Sequence, residues 1–164
     1  MLQKLNATKK GLITGLVMTG LLLFFFYALK LPFNGKEQYA IYGVYMAGII
    51  WSLFSFGQSG KENKTFKEYF SAGFKTFIVV TLLMVVFTFI FFSFDTAYRE
   101  SGIAENNKLL LAEGNHTPAE IESNAVQLRK IFMPMMVGIT TFKYLVSGAL
   151  ITAVGAGFLS QKKQ

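Results

Sequence analysis

A chain of 164 residues, 52% hydrophobic with 18 phenylalanines and a mean hydropathy of +0.43, is one small domain with little length left for a separate soluble core. It has no cysteine, which excludes disulfides, thiolate metal sites and thiol nucleophiles, and its single His116 excludes a metal site built from two or more histidines of one chain. The net charge of +7 is gathered on one set of loops, a distribution that speaks for membrane orientation and against a nucleic-acid partner.

Four apolar stretches, 11–29, 39–57, 76–94 and 138–160, dominate the chain. At about 1.5 Å per residue each is long enough to cross a hydrocarbon core of ~30 Å. They predict an all-α integral membrane four-helix bundle, a single membrane domain in which 95–130 is the only sizeable extramembrane segment. The first stretch follows Lys9-Lys10 and stops before Pro32. It is longer than the apolar core of a signal peptide, and Tyr27-Ala28-Leu29-Lys30 offers no small-x-small cleavage site, so it reads as a retained span. Pro32-Phe33-Asn34-Gly35 reads as a tight turn joining spans 1 and 2 into a helical hairpin. Span 2 carries Tyr39, Tyr42 and Tyr45 near one end and Trp51 nearer the other, as an interfacial aromatic belt requires.

Thr65-Phe66-Lys67-Glu68 is a capping box, with Thr at the N-cap and Glu three residues on. It predicts a helix that starts ahead of span 3 and runs into it. From 66 to 94 such a helix is about 43 Å long, more than a bilayer needs. The first half of 95–130 reads as an extension of this helix followed by a turn at Gly114-Asn115. Thr117-Pro118-Ala119-Glu120 is a second capping box with Pro in the first helical position. Ile121, Ala125, Leu128 and Phe132 then form an apolar stripe at helical spacing. They predict an extra amphipathic helix on the outer side before the fourth span, entered through Pro134 as a kink.

Orientation follows from the basic residues. Lys4, Lys9, Lys10, Lys61, Lys64, Lys67, Lys75, Lys162 and Lys163 fall on one side with only Glu62 and Glu68. The other side carries Lys30, Lys36, Arg99, Lys108, Arg129 and Lys130 with an excess of acids. This is the positive-inside pattern and predicts both termini in the cytoplasm.

Small residues mark candidate packing seams, because close backbone approach drives helix association in lipid. Span 1 has Gly11 and Gly15. Span 4 has two rows, Gly148/Thr152/Ala156 and Ala149/Ala153/Gly157. Span 4 is therefore expected at the centre of the bundle, and the Phe- and Val-rich span 3 is expected to present the most surface to lipid. These rows suit packing within one monomer, the favoured reading, or a homo-oligomer seam. Lys143, the one formal charge inside a predicted span, lies within a turn of the membrane boundary, where it snorkels or forms a structural ion pair with Asp95. Glu113, His116, Glu120 and Glu122 lack ligand spacing and read as a turn and a helix cap. No catalytic, cofactor-binding or metal-binding residue is expected.

With this topology in view, a resemblance emerges. The stretch 63–92, NKTFKEYFSAGFKTFIVVTLLMVVFTFIFF, resembles the central motif of a bacterial membrane family of unknown function, domain-of-unknown-function family 4199. The T/S-F-x-x-[AY]-F-x-x-G pattern is carried by Thr65, Phe66, Tyr69, Phe70 and Gly73, and the last span ends in Lys162-Lys163. Tyr69 stands where relatives carry a small residue. The resemblance implies a four-span protein of a bacterial inner membrane and brings no activity with it. The expected function is a non-enzymatic accessory or assembly subunit of an envelope complex. The alternative is a small-solute or lipid-handling transporter or channel. Expected partners are membrane lipids, and a protein docking through 95–129 or 58–67.

Overall fold

The computed structural model describes residues 5–31, 35–60 and 64–161, all helix and connecting turn with no strand among them. The predicted turn at Pro32, Phe33 and Asn34 lies outside the described residues. Four helices are long and apolar enough to cross a membrane: Ala7–Ala28, Gln38–Gly57, Phe66–Phe94 and Pro118–Gln161.

Helix α1 (Ala7–Leu23) begins four residues ahead of the apolar stretch, because Asn6 caps it. The Asn6 side chain accepts from the Lys9 backbone N–H at 2.8 Å, so Lys9 and Lys10 lie inside the helix. The helix widens into a π-helical segment, Phe24–Ala28, and the chain leaves it through Lys30 at φ 52°. Helix α2 (Gln38–Gly57) ends under a cationic staple. Lys64 Nζ donates to the carbonyls of Phe56, Gly57 (3.2 Å) and Ser59 (2.9 Å), and sits over the Phe56 ring. An ammonium there offsets the negative end of the helix dipole.

Helix α3 (Phe66–Phe94) starts at the predicted capping box: Thr65 N donates to Glu68 Oε2 at 2.9 Å, and Glu68 N to Thr65 Oγ1 at 3.4 Å. It does not extend past span 3. Asp95 leaves helical geometry, and its carboxylate accepts from Tyr98 N at 3.2 Å, capping a separate helix α4 (Thr96–Glu113). Gly114 closes α4 in the left-handed conformation at φ 70°. Helix α5 (Pro118–Gln161) opens on the second capping box, with Thr117 N to Glu120 Oε2 at 2.7 Å. It runs unbroken through Pro134, so the proline is no stop. Pro134 and Lys130 are both exposed, so the carbonyl that loses its helical donor is not sealed inside.

The chain divides into two compact units. The first holds the described residues up to Met84 and those from Thr141 onward; the second is Val85–Thr140. Helices α3 and α5 contribute to both. In the first unit α2 and α3 each meet the other three helices. Tyr45 Oη of α2 donates to the Tyr144 carbonyl of α5 at 2.7 Å. Thr76 Oγ1 of α3 pairs with Ser52 Oγ of α2 at 2.6 Å and with the Ala7 carbonyl of α1 at 3.2 Å. Gly73 of α3 abuts Thr152 of α5, and Gly48 of α2 abuts Thr14 of α1.

This corrects the expectation that span 4 is central and span 3 most exposed. A larger share of the apolar window is buried in α3 than in α1 or α5. Tyr69, Ala72, Thr76, Phe77, Val80, Thr81 and Met84 form its buried stripe. The physical reason lies in how close contacts are made. A glycine opens a groove, but a bulky partner fills it, and here the fillers stand on α3: Leu83 against Gly15, and Phe77 against Gly148.

In the second unit the predicted stripe is the packed face. Ile121, Ala125 and Phe132 are buried and Leu128 is half-buried. Phe92 meets Phe132 edge-on at 5.5 Å and Tyr98 at 5.2 Å. Glu100 accepts from Arg129 Nε of α5 and from Arg99 Nε, both at 3.0 Å.

Candidate anion-binding cavity

Where α1 begins, α2 ends and α3 begins, the first unit forms an open cavity of about 910 Å³. Its walls follow from local sequence. On α3, Lys67, Ser71 and Lys75 recur every four residues and so share one face. On α2, Ser52 and Ser55 face it from the last turns, with Phe56 beside them. On α1, Ala7 and Thr8 bring first-turn N–H groups that have no acceptor within the helix, and Lys10 follows one turn later. Ser52, in its wall, accepts from the buried Thr76 hydroxyl of α3 at 2.6 Å. Gly11 lets α1 settle there: a Cβ at this position would stand 2.6 Å from the Thr76 carbonyl oxygen.

Lys10 is the distinctive group. It is 3% exposed, and its ammonium lies 5.4 Å from the centroid of the half-buried Trp51 ring. Among the described residues no carboxylate lies within 4 Å of the ammonium of Lys10, Lys67 or Lys75. The acid in the lining, Glu68, is held at the α3 cap by Thr65 N and Oγ1. The positive ends of α1 and α3 add to the three ammoniums, while the negative end of α2 is covered by Lys64. Cations and hydroxyls gathered in this way can hold an anion.

The residues singled out from sequence lie elsewhere. Gly148, Thr152 and Ala156 form the buried row of α5, whereas Ala149, Ala153 and Gly157 are half-buried and Gly157 meets nothing within 4 Å. Gly11 and Gly15 both face α3. Asp95, in the second unit, serves as the α4 cap. Lys143, in the first, is exposed on α5, its carbonyl accepting from Ser147 Oγ at 2.6 Å. His116 Nε2 lies 3.3 Å from Glu113 Oε2 on the surface. A wholly apolar groove of about 450 Å³ runs between α2 and α5, walled by Ile50, Phe54, Leu150 and Val154. The cavity itself was not anticipated. Its signal was the Lys67/Ser71/Lys75 period opposite Ser52 and Ser55, of which only the two lysines were weighed, and those only for orientation.

A family model described as "Protein of unknown function (DUF4199)" matches residues 9–161. The chain belongs to this family. The matched region takes in all four apolar helices of this DUF4199 protein except the first two residues of α1, and it includes Lys10, Lys67 and Lys75. No curated protein and no solved structure matches the chain. Tyr69, the departure from the family pattern, is buried edge-on against Phe56 at 5.5 Å.

Proposed function

We propose that this DUF4199 protein is a non-enzymatic accessory subunit of a bacterial inner-membrane complex that works by holding an anion in the cavity between α1, α2 and α3. The observation that carries this reading is Lys10, a buried ammonium without a counter-carboxylate among the described residues, in a cavity that also collects Lys67 and Lys75. A buried charge is costly unless compensated, so an anionic ligand is the natural complement. Both termini lie in the cytoplasm, a proposal supported by the concentration of lysines on that side, and the cavity then opens toward the cytoplasmic leaflet. A protein partner docks on 95–129, where Leu109 and Leu111 of α4 are 61% and 62% exposed, or on 58–67. The transporter reading needs a path past the Ser52–Thr76 layer and the contact of Gly48 with Thr14, and is second for that reason.

The test is gentle extraction of the tagged protein from its own membrane, followed by native mass determination. A retained anionic ligand together with a stoichiometric partner protein is the expected result. A ligand-free chain with no partner overturns the proposal. A tag at Lys61 should be reached from the cytoplasm and one at Glu113 from outside; the reverse contradicts the orientation.

A further inference from the structure

We infer that the anion is a phosphate, carried by the headgroup of an anionic glycerophospholipid, with Lys10 as its deep anchor and Lys67 and Lys75 at the mouth. This rests on the anion-binding reading above and names its ligand. Three observations converge on it. The cavity lies at the ends of candidate membrane spans, beside the first turn of α1, the last turns of α2 and the first three turns of α3, the end of a span that meets the headgroup layer. Its lining is amphiphilic, with Leu5, Phe56 and Ala72 among the lysines and serines, as a phosphate joined to glycerol requires. Its volume, about 910 Å³, would hold on the order of thirty waters at bulk density, so a bare phosphate ion would leave most of it to solvent. Along α3, Phe66, Phe70 and Phe74 form a stacked ladder with centroids 5.9 and 6.4 Å apart, and Phe66 and Phe74 are exposed, an aromatic anchor suited to the interface.

Recognition is by charge. The phosphodiester oxygen accepts from the Lys10 ammonium, whose stem is already ordered in the α1–α2 contact, so little further ordering is needed on binding. Lys67 and Lys75 are exposed and attract additional headgroup charge; each is worth about 5-fold in affinity. Ser55 and Ser71 supply hydroxyls to the phosphate or glycerol oxygens.

Trp51 is the sole tryptophan of the chain and lies beneath the Lys10 ammonium, so it reports on the site directly. The experiment is a titration of the purified protein in neutral detergent at fixed ionic strength, reading Trp51 fluorescence. Short-chain phosphatidylglycerol, phosphatidylcholine of the same chain length and inorganic phosphate are the three arms. A saturable change with phosphatidylglycerol alone is expected. It should vanish in Lys10→Met, and its midpoint should rise about 25-fold in Lys67→Gln/Lys75→Gln, whose side chains are exposed and whose replacement leaves the fold intact. Equal responses to the two lipids overturn charge recognition. A response to inorganic phosphate with the same midpoint as phosphatidylglycerol overturns the lipid source and leaves the anion site standing. Silence in all three arms removes both the inference and the reading beneath it.

Discussion

Gly148→Ala tests which face of α5 is packed. The added methyl would stand 2.7 Å from Phe77 Cγ and 2.8 Å from Phe77 Cβ, against an ordinary contact of 3.4–4 Å, and would also strike the Tyr45 hydroxyl. Neither neighbour has room to yield: Phe77 is 3% exposed and Tyr45 fully buried. Overpacking of this kind costs about 1–3 kcal/mol. Displacing Tyr45 Oη from the Tyr144 carbonyl, 2.7 Å away, costs a further ~0.6 kcal/mol on the scale of interhelical bonds in membranes. Replacing glycine by alanine in a helix returns at most about 1 kcal/mol. The net loss is roughly 1–3 kcal/mol. Gly157→Ala, where a Cβ meets nothing within 4 Å, is the matched control and should be neutral or slightly stabilising. Because the chain lacks cysteine, a single Ala156→Cys in each background reports unfolding through thiol labelling as the detergent solution is heated; Ala156 is fully buried. Equal transitions for Gly148→Ala and Gly157→Ala would refute the assignment of the buried row.

Gly11→Ala should be more severe than Gly148→Ala, since its methyl meets the Thr76 backbone carbonyl oxygen at 2.6 Å, and backbone cannot swing aside; the same thiol assay should show the lower midpoint. Asp95→Ala removes the α4 cap and should cost about 1 kcal/mol, seen as faster amide exchange over the first turn of α4 with the first unit unchanged. Arg129 and then Arg99 hold the Glu100 carboxylate below its usual range. Its contribution is therefore present above about pH 4.5 and is lost as the pH falls through the lowered value, so exchange in α4 should rise under acid, and Glu100→Gln should remove that rise.

The elements that were legible in sequence are those with a local physical cause. Both capping boxes, at Thr65 and Thr117, formed as their residue types require. The stripe Ile121/Ala125/Phe132 was buried as its period demands. The misreadings share an origin in hydropathy, which marks where apolar composition stops and not where a helix stops. Asn6 starts α1 ahead of two lysines, and Asp95 ends one helix while capping the next, so neither boundary coincides with a change of polarity. The two rows of span 4 are equivalent as patterns; only the partner side chains Phe77 and Tyr45 distinguish them. The cavity was least legible, because Lys10, Ser52 and Lys67 are far apart in the chain and converge only once Gly11 and Gly48 let α1 close on α3 and α2.

An experimental structure of the protein in nanodiscs of anionic lipid tests the central claim most directly. The account predicts headgroup density in the cavity, with a phosphate oxygen within hydrogen-bonding distance of Lys10 Nζ. Lys10 paired with a carboxylate of the chain itself, or a cavity holding only water, would contradict it.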